Sequence, residues 1–206
     1  MKNRLLLRCD CGSVTGELEL ASERSLHVVC YCQDCQAFAR FLEQQDTVLD
    51  AHGGTRILQI SPAAMQINNG LQHIKAMRLS PKGILRWHTV CCKTPVGNTL
   101  ATSKLPFLGL IHTFFSEHKK PGYLDEHFGP VKMGVFAGNT KREATWPVHA
   151  GTPAGLIVST IRNVAGWRLR GDHKHNMFFD ITSGQPISNP IVLTLEERNK
   201  LASQVT

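Results

Sequence analysis

Three cysteines fall within six positions, Cys30-Tyr31-Cys32-Gln33-Asp34-Cys35, and this run concentrates the most reactive chemistry of the chain. Segments of the C-x-C and C-x-x-C type let a loop fold back with its amides toward the sulfurs, so that neighbouring thiolates share one ion. Zinc suits such a set, because it takes four tetrahedral ligands and binds thiolate readily. Cys30, Cys32 and Cys35 supply three, and an open fourth position marks a catalytic zinc rather than a structural one. A substrate thiol entering there, ordinarily protonated with a pKa of about 8.5, becomes a thiolate nucleophile, and a water there becomes a hydrolytic one. Two blander readings compete. A fourth ligand from elsewhere in the chain closes the site into a structural one, or the thiols work without metal as a redox sensor.

A second group, Cys9-Asp10-Cys11-Gly12, lies upstream, and Cys91-Cys92 complete the seven cysteines. An odd, clustered count argues against a disulfide framework and for metal ligation. Cys9, Cys11 and a donor near Cys91-Cys92 read as a structural zinc that clips together elements about 80 residues apart.

Three blocks in order carry a family resemblance: Cys9-x-Cys11-Gly12-x-Val14, Cys30-x-Cys32-x-x-Cys35 and Cys92-Lys93-Thr94-Pro95-x-Gly97. Over roughly residues 5–100 the chain resembles the glutathione-dependent formaldehyde-activating enzyme / centromere protein V (GFA-like) family. The resemblance implies a small β-rich fold of short sheets around two zinc ions. It implies that Cys30, Cys32 and Cys35 are the catalytic set. The namesake activity there is a carbon–sulfur lyase, S-(hydroxymethyl)glutathione synthase, which joins glutathione to formaldehyde. Cys9, Cys11 and Cys92 match three ligands of the structural set. The chain departs from the family in the last block, usually C-x-x-C-G-T. Thr89 stands at the first cysteine, Cys91 sits beside Cys92, Lys93 replaces the glycine, and Tyr31 stands where many relatives carry histidine. Adjacent side chains on an extended strand point apart. The fourth donor is therefore open between Cys91, His88 and an incomplete site.

Other residue types invite weaker readings. His173-Lys174-His175 has a spacing that could hold a metal, yet beside Gly171-Asp172 it reads equally as an exposed basic loop. His52 before Gly53-Gly54 is a loop histidine. Asp34 could accept a proton from an incoming thiol, or be a solvated loop carboxylate. Ser61-Pro62 and residues 66–70 could offer amides to a pocket, with a plain turn as the simpler account.

The elements that must position these groups follow from apolar periodicity. Residues 8–20 read as a turn and a strand, 26–29 as a strand running into the cysteine cluster, and 56–60 as another. Residues 36–49 have helical spacing, and 73–88 form a hairpin about Ser80-Pro81-Lys82-Gly83. Beyond residue 100, segments 105–118 and 153–170 show helical patterns, and 191–201 a short strand and a charged turn. The expected fold is mainly β with added helices, an α+β class of small zinc-clipped sheets. It forms one domain over 1–206, with a GFA-like core over 5–100 and a helical/β extension over 101–206 packed on it.

The net charge of +7 is scattered, its densest groups being Lys141-Arg142 and Arg168, Arg170 and Lys174. With no aromatic-interleaved basic stripe, nucleic acid is not the expected partner. Leu5-Leu6-Leu7 after Met1-Lys2-Asn3-Arg4 is too short for a secretory h-region, and no run reaches the roughly 20 residues of a membrane span. The segment 105–115 is apolar but reads as a core helix rather than a membrane surface. The expectation is a cytoplasmic zinc enzyme acting on a small thiol adduct, glutathione-like by resemblance. A non-catalytic zinc module that binds a partner is the alternative.

Overall fold

The computed structural model describes residues 3–20, 25–138 and 144–203; Met1-Lys2 and the basic pair Lys141-Arg142 lie outside the described residues. The chain opens with an antiparallel hairpin, β1 (Asn3–Arg8) and β2 (Thr15–Leu20), whose inward residues Leu5, Leu7 and Leu18 are buried. Then come β3 (Leu26–Cys30), α1 (Gln33–Phe41), α2 (Gln45–Val48), β4 (Thr55–Ile60) and β5 (Met65–Asn69). The hairpin β6 (Ile74–Arg78) and β7 (Leu85–Thr89) is followed by β8 (Pro95–Thr99) and β9 (Leu108–Ile111). The chain ends with α3 (Tyr123–Phe128), β10 (Met133–Val135), α4 (Ala154–Leu169), β11 (Ile191–Val192) and α5 (Leu195–Ser203). Helices and sheets in this mixture make an α+β fold.

Two sheets result. The small one runs β1-β2-β5 and the large one β10-β3-β4-β9-β8-β7-β6-β11. The interior of the large sheet is antiparallel, and β10 and β11 close its edges in parallel with β3 and β6. Residues beyond 100 supply three of its eight strands, with β9 in the interior between β4 and β8. One face carries the main core, where Trp87 packs on Phe178 at 4.7 Å and Leu5, Leu7 and Leu18 of the small sheet join Leu58, Leu85 and Leu110. Over the other face lie α1 and α5, with Phe38, Leu42 and Leu193 against Met77, Leu79 and Ile111.

Strands β7 and β8 are buried along their whole length, yet hold Arg86, His88, Thr89, Asn98 and Thr99. Buried polar groups need partners, and the two strands supply some of them: Arg86 donates to Asn98 Oδ1 at 3.3 Å, and Trp87 Nε1 to Thr99 Oγ1 at 2.9 Å, whereas His88 Nδ1 is buried without a hydrogen-bond partner.

The helix expected over residues 105–118 is instead β9 and a 3-10 turn, His112–Phe114. Leu108, Leu110 and Ile111 are buried on both faces between β4 and β8, and a strand buried on both sides loses the alternation that would distinguish it from a helix. The segment 36–49 is two helices; α1 starts earlier, at Gln33, and ends before Glu43, whose φ is +57°. Residues 66–70, expected as a turn, belong largely to β5, and the charged turn near the end is the nine-residue α5. Among the described residues no helix is long and apolar enough to cross a membrane.

Local packing fixes the exit of β3. The Tyr31 amide donates to Val135 O at 2.9 Å, and its buried ring is flanked by two glycines. A Cβ on Gly134 would stand 2.7 Å from Tyr31 Cε2, and one on Gly54 2.5 Å from Tyr31 Cε1. Gly134→Ala is therefore expected to lose about 1–3 kcal/mol of stability by overpacking. Urea denaturation of the two proteins checks this, and equal midpoints would contradict it.

Candidate metal centres

Cys9, Cys11, Cys91 and Cys92 form the first centre. All four sulfurs lie within 4.8 Å of one another, with Cys9–Cys11 at 3.6 Å, Cys9–Cys91 at 3.9 Å and Cys91–Cys92 at 3.8 Å. A zinc–thiolate tetrahedron with bonds of about 2.3 Å has sulfur–sulfur edges of about 3.8 Å, so the spacing fits such an ion. Cys9 and Cys11 come from the β1–β2 turn, where Gly12 at φ +79° reverses the chain and Val14 N donates to Cys9 Sγ at 3.2 Å. Cys91 and Cys92 come from the β7–β8 turn. Asp10 N donates to Thr94 Oγ1 at 3.0 Å and ties the two turns together.

The adjacent cysteines do not point apart, because they lie in a turn instead of on an extended strand. Lys93 makes this possible with φ +60°, the left-handed conformation that glycine adopts freely. Thr89, at the position of the missing cysteine, places its hydroxyl 3.4 Å from Cys92 Sγ. Burial pushes the Cys9 thiol up to about 12. Burial also acts to raise Cys92, but the hydroxyls of Thr89 and Thr94 outweigh it and bring that thiol down to about 6. His88, the alternative donor, is elsewhere. It is buried edge-on against Phe38 and Phe41 at 6.4 and 6.1 Å, and burial lowers its pKa to about 4.

Cys30, Cys32 and Cys35 form the second centre, all within 4.8 Å, with Cys30–Cys32 at 3.3 Å. Among the described residues no other histidine, cysteine, aspartate or glutamate joins them. Cys30 ends the fully buried β3, and Cys32 caps α1, accepting from Cys35 N at 3.4 Å. The positive end of the helix thus faces the sulfurs and favours their thiolate forms. Hydrogen bonds from Cys30 and Cys32, together with the Arg86 guanidinium, hold the Cys35 thiol well below its ordinary range. Hydrogen bonds with Cys32 and Cys35, together with burial, push Cys30 up.

Arg86 is the group that sequence reasoning missed. It reaches from β7 to within 3.9 Å of Cys35 Sγ and 4.0 Å of Asp34 Oδ2, with Phe38 under its guanidinium at 5.4 Å. A buried arginine inside a strand was the available signal. Asp34 is not the solvated loop carboxylate of the simpler reading. It sits in the first turn of α1 and receives Arg198 of α5 through Nε at 2.9 Å and Nη2 at 2.6 Å. The three sulfurs open on a cavity of about 610 Å³ that Asp34, Arg86 and Asn98 also line.

The remaining candidates do not converge. His173 and His175 lie on a 3-10 turn, Asp172–His175, where His173 Nδ1 meets Arg168 at 3.1 Å. His52 sits in the turn before β4 and donates its amide to Asp50. Ser61 is buried and donates to Asp172 Oδ2 at 2.7 Å.

Fold and site define an α+β protein with two cysteine clusters, each able to hold a metal ion. The sequence model of a family described as a family of unknown function (DUF6151) matches residues 1–189, and the chain belongs to that family. No curated protein matches it.

Two outcomes follow from this geometry. Lys93→Gly relieves a left-handed lysine and loses only an exposed ion pair with Glu43, so the metal-loaded protein should gain a few tenths to about 1 kcal/mol in urea denaturation. A loss of stability would show that Lys93 is not strained. Because the folded-state pKa of His88 is lowered, its contribution is complete above the ordinary value of 6.5 and is lost as pH falls toward about 4. The His88→Phe protein should therefore lose less stability than wild type between pH 7 and pH 5, by on the order of 1–2 kcal/mol. Parallel pH profiles would contradict this.

Proposed function

We propose that the protein is a zinc-dependent enzyme that forms or breaks a carbon–sulfur bond in a thiol adduct, with Cys30, Cys32 and Cys35 holding the catalytic metal. One observation carries this reading: three sulfurs, one short of a tetrahedral set, line a cavity, whereas the other cluster already offers four. The motif resemblance to the GFA-like family agrees with it, and a glutathione-like thiol is the substrate which that resemblance suggests. Zinc at the three-cysteine site would lower the pKa of an incoming thiol and so supply a nucleophile at neutral pH. In the synthetic direction the thiol sulfur bonds to an aldehyde carbon, the carbonyl π pair moves to oxygen, and that oxygen takes up the proton the thiol released.

The chain's own groups serve this step in distinct ways. The helix α1 turns its amide end to the sulfurs and stabilises negative charge there. Arg86, buried and 3.9 Å from Cys35, offsets the excess negative charge that three thiolates and a divalent ion carry. Asp34 lines the mouth as a carboxylate able to relay a proton, steered by Arg198. Cys9, Cys11, Cys91 and Cys92 hold the structural ion and fix the end of β7, the strand on which Arg86 stands.

A second reading, a non-catalytic zinc module that binds a partner, has its own observation. Helix α4 exposes Val158, Ile161 and Leu169 at 63%, 62% and 89%. Metal analysis separates the readings in part. Wild type should carry two zinc ions per chain, Cys32→Ser one with activity lost, and Cys92→Ser one with a lowered melting temperature. A zinc-free protein that retains carbon–sulfur lyase activity would end the proposal.

A further inference from the structure

The walls of the cavity at the three-cysteine site have a chemistry of their own. At about 610 Å³ its volume lies within the roughly 300–1,000 Å³ of small-molecule sites. Val28, Ile57, Phe107, Val135, Leu156 and Ile161 line it, drawn from β3, β4, the loop before β9, β10 and α4. Several polar side chains that line it are engaged within the wall or from α5. Thr160 donates to Gln59 Oε1 at 2.8 Å, Arg86 to Asn98 Oδ1 at 3.3 Å, and Arg198 to Asp34 at 2.6 Å. These pairings hold the polar groups of Thr160, Gln59 and Asp34 to the wall, and the lining offers a ligand mostly apolar surface.

Charge gives the same answer. Arg86 already faces the sulfurs, Lys82 is an exposed cation at the rim, and Asp34 brings a carboxylate to the same opening. A peptide thiol with two carboxylates, such as glutathione, would find Lys82 as the one lining cation not already turned to the sulfurs, and would meet the Asp34 carboxylate at the same opening. The rim also carries Phe136, 47% exposed and held at φ +58°. A bulky aromatic residue in that conformation is strained, and such strain collects at ligand clamps. Its exposed ring offers a flat apolar face to whatever enters.

We infer that the thiol taken up at this site has an uncharged apolar body, of the size of a short alkyl or single-ring benzylic thiol, and that Phe136, Leu156 and Ile161 hold it while its sulfur reaches the three cysteines. This rests on the reading of the site as a thiol-binding metal centre, and it replaces the glutathione-like substrate within that reading.

The test uses the full chain with cobalt in place of zinc, following thiolate-to-cobalt absorption as benzyl mercaptan or glutathione is added, with cobalt content measured before and after. Benzyl mercaptan should saturate the change at a concentration at least about tenfold below glutathione, as burial of one ring in an apolar pocket requires. Ile161→Lys, at a position 62% exposed and so safe for folding, should bind the same cobalt and shrink that preference several-fold. Equal or tighter binding of glutathione, or an undiminished preference in Ile161→Lys, would overturn the inference while leaving the thiol-binding reading standing. If cobalt is bound and neither thiol alters its spectrum, the thiol-binding reading itself falls, and the inference with it.

Discussion

Sulfur atoms packed at 3.3–3.9 Å impose a charge problem that shapes everything around them. Two thiolates at that distance repel by about 4 kcal/mol at the effective dielectric of a protein surface. Protonated thiols avoid the repulsion, but gain only weak hydrogen bonds in its place. The opposed shifts within each cluster, Cys92 down and Cys9 up, Cys35 down and Cys30 up, express this compromise. A divalent cation removes it, because every thiolate then faces a positive charge. In the four-cysteine cluster that cation also joins the β1–β2 and β7–β8 turns, adding to the bond from Asp10 N to Thr94 Oγ1 and that from the Cys11 backbone to Cys92.

The two centres are mechanically connected. Helix α1 begins at the three-cysteine site, where Cys32 caps it, and spans about 13 Å for nine residues. The loop at its other end touches the Cys91-Cys92 turn, with Gln44 Nε2 donating to Cys92 O at 3.3 Å and Glu43 pairing with Lys93 at 2.8 Å. Strand β7 makes the same journey within the sheet: Arg86 reaches Cys35, and the turn after Thr89 carries Cys91 and Cys92. A metal that fixes this turn therefore holds both the helix whose amide end faces the other sulfurs and the strand that carries their cation.

Much of this was legible in the sequence because short-range spacing dictates it. The cysteine blocks, the hairpin β6–β7 and helix α4 all depend on residues near one another in the chain, and local patterns report them. What was hidden depends on long-range pairing. Strand β9 reads as a helix because both its faces are buried, and β5 reads as a turn because Gln66, Asn68 and Asn69 are polar on an edge strand. The fourth sulfur of the first centre was obscured by treating Cys91-Cys92 as extended chain. The one hint that position 93 is left-handed is that Lys93 stands where the resembled family carries glycine; the lysine itself does not report it.

Arg86 shows why the second site needs the whole fold and not its motif alone. An unpaired guanidinium inside a sheet costs several kcal/mol, so its presence demands anionic partners at that spot. Asn98 is neutral, and the carboxylate of Asp34, 4.0 Å away, is claimed by Arg198 at 2.6 Å. The remaining partner is the sulfur cluster itself, whose net charge stays negative even with a divalent ion bound to three thiolates. The last helix, α5, thereby enters the electrostatics of a site built by the first third of the chain: by drawing Asp34 to itself it leaves Arg86 directed at Cys35.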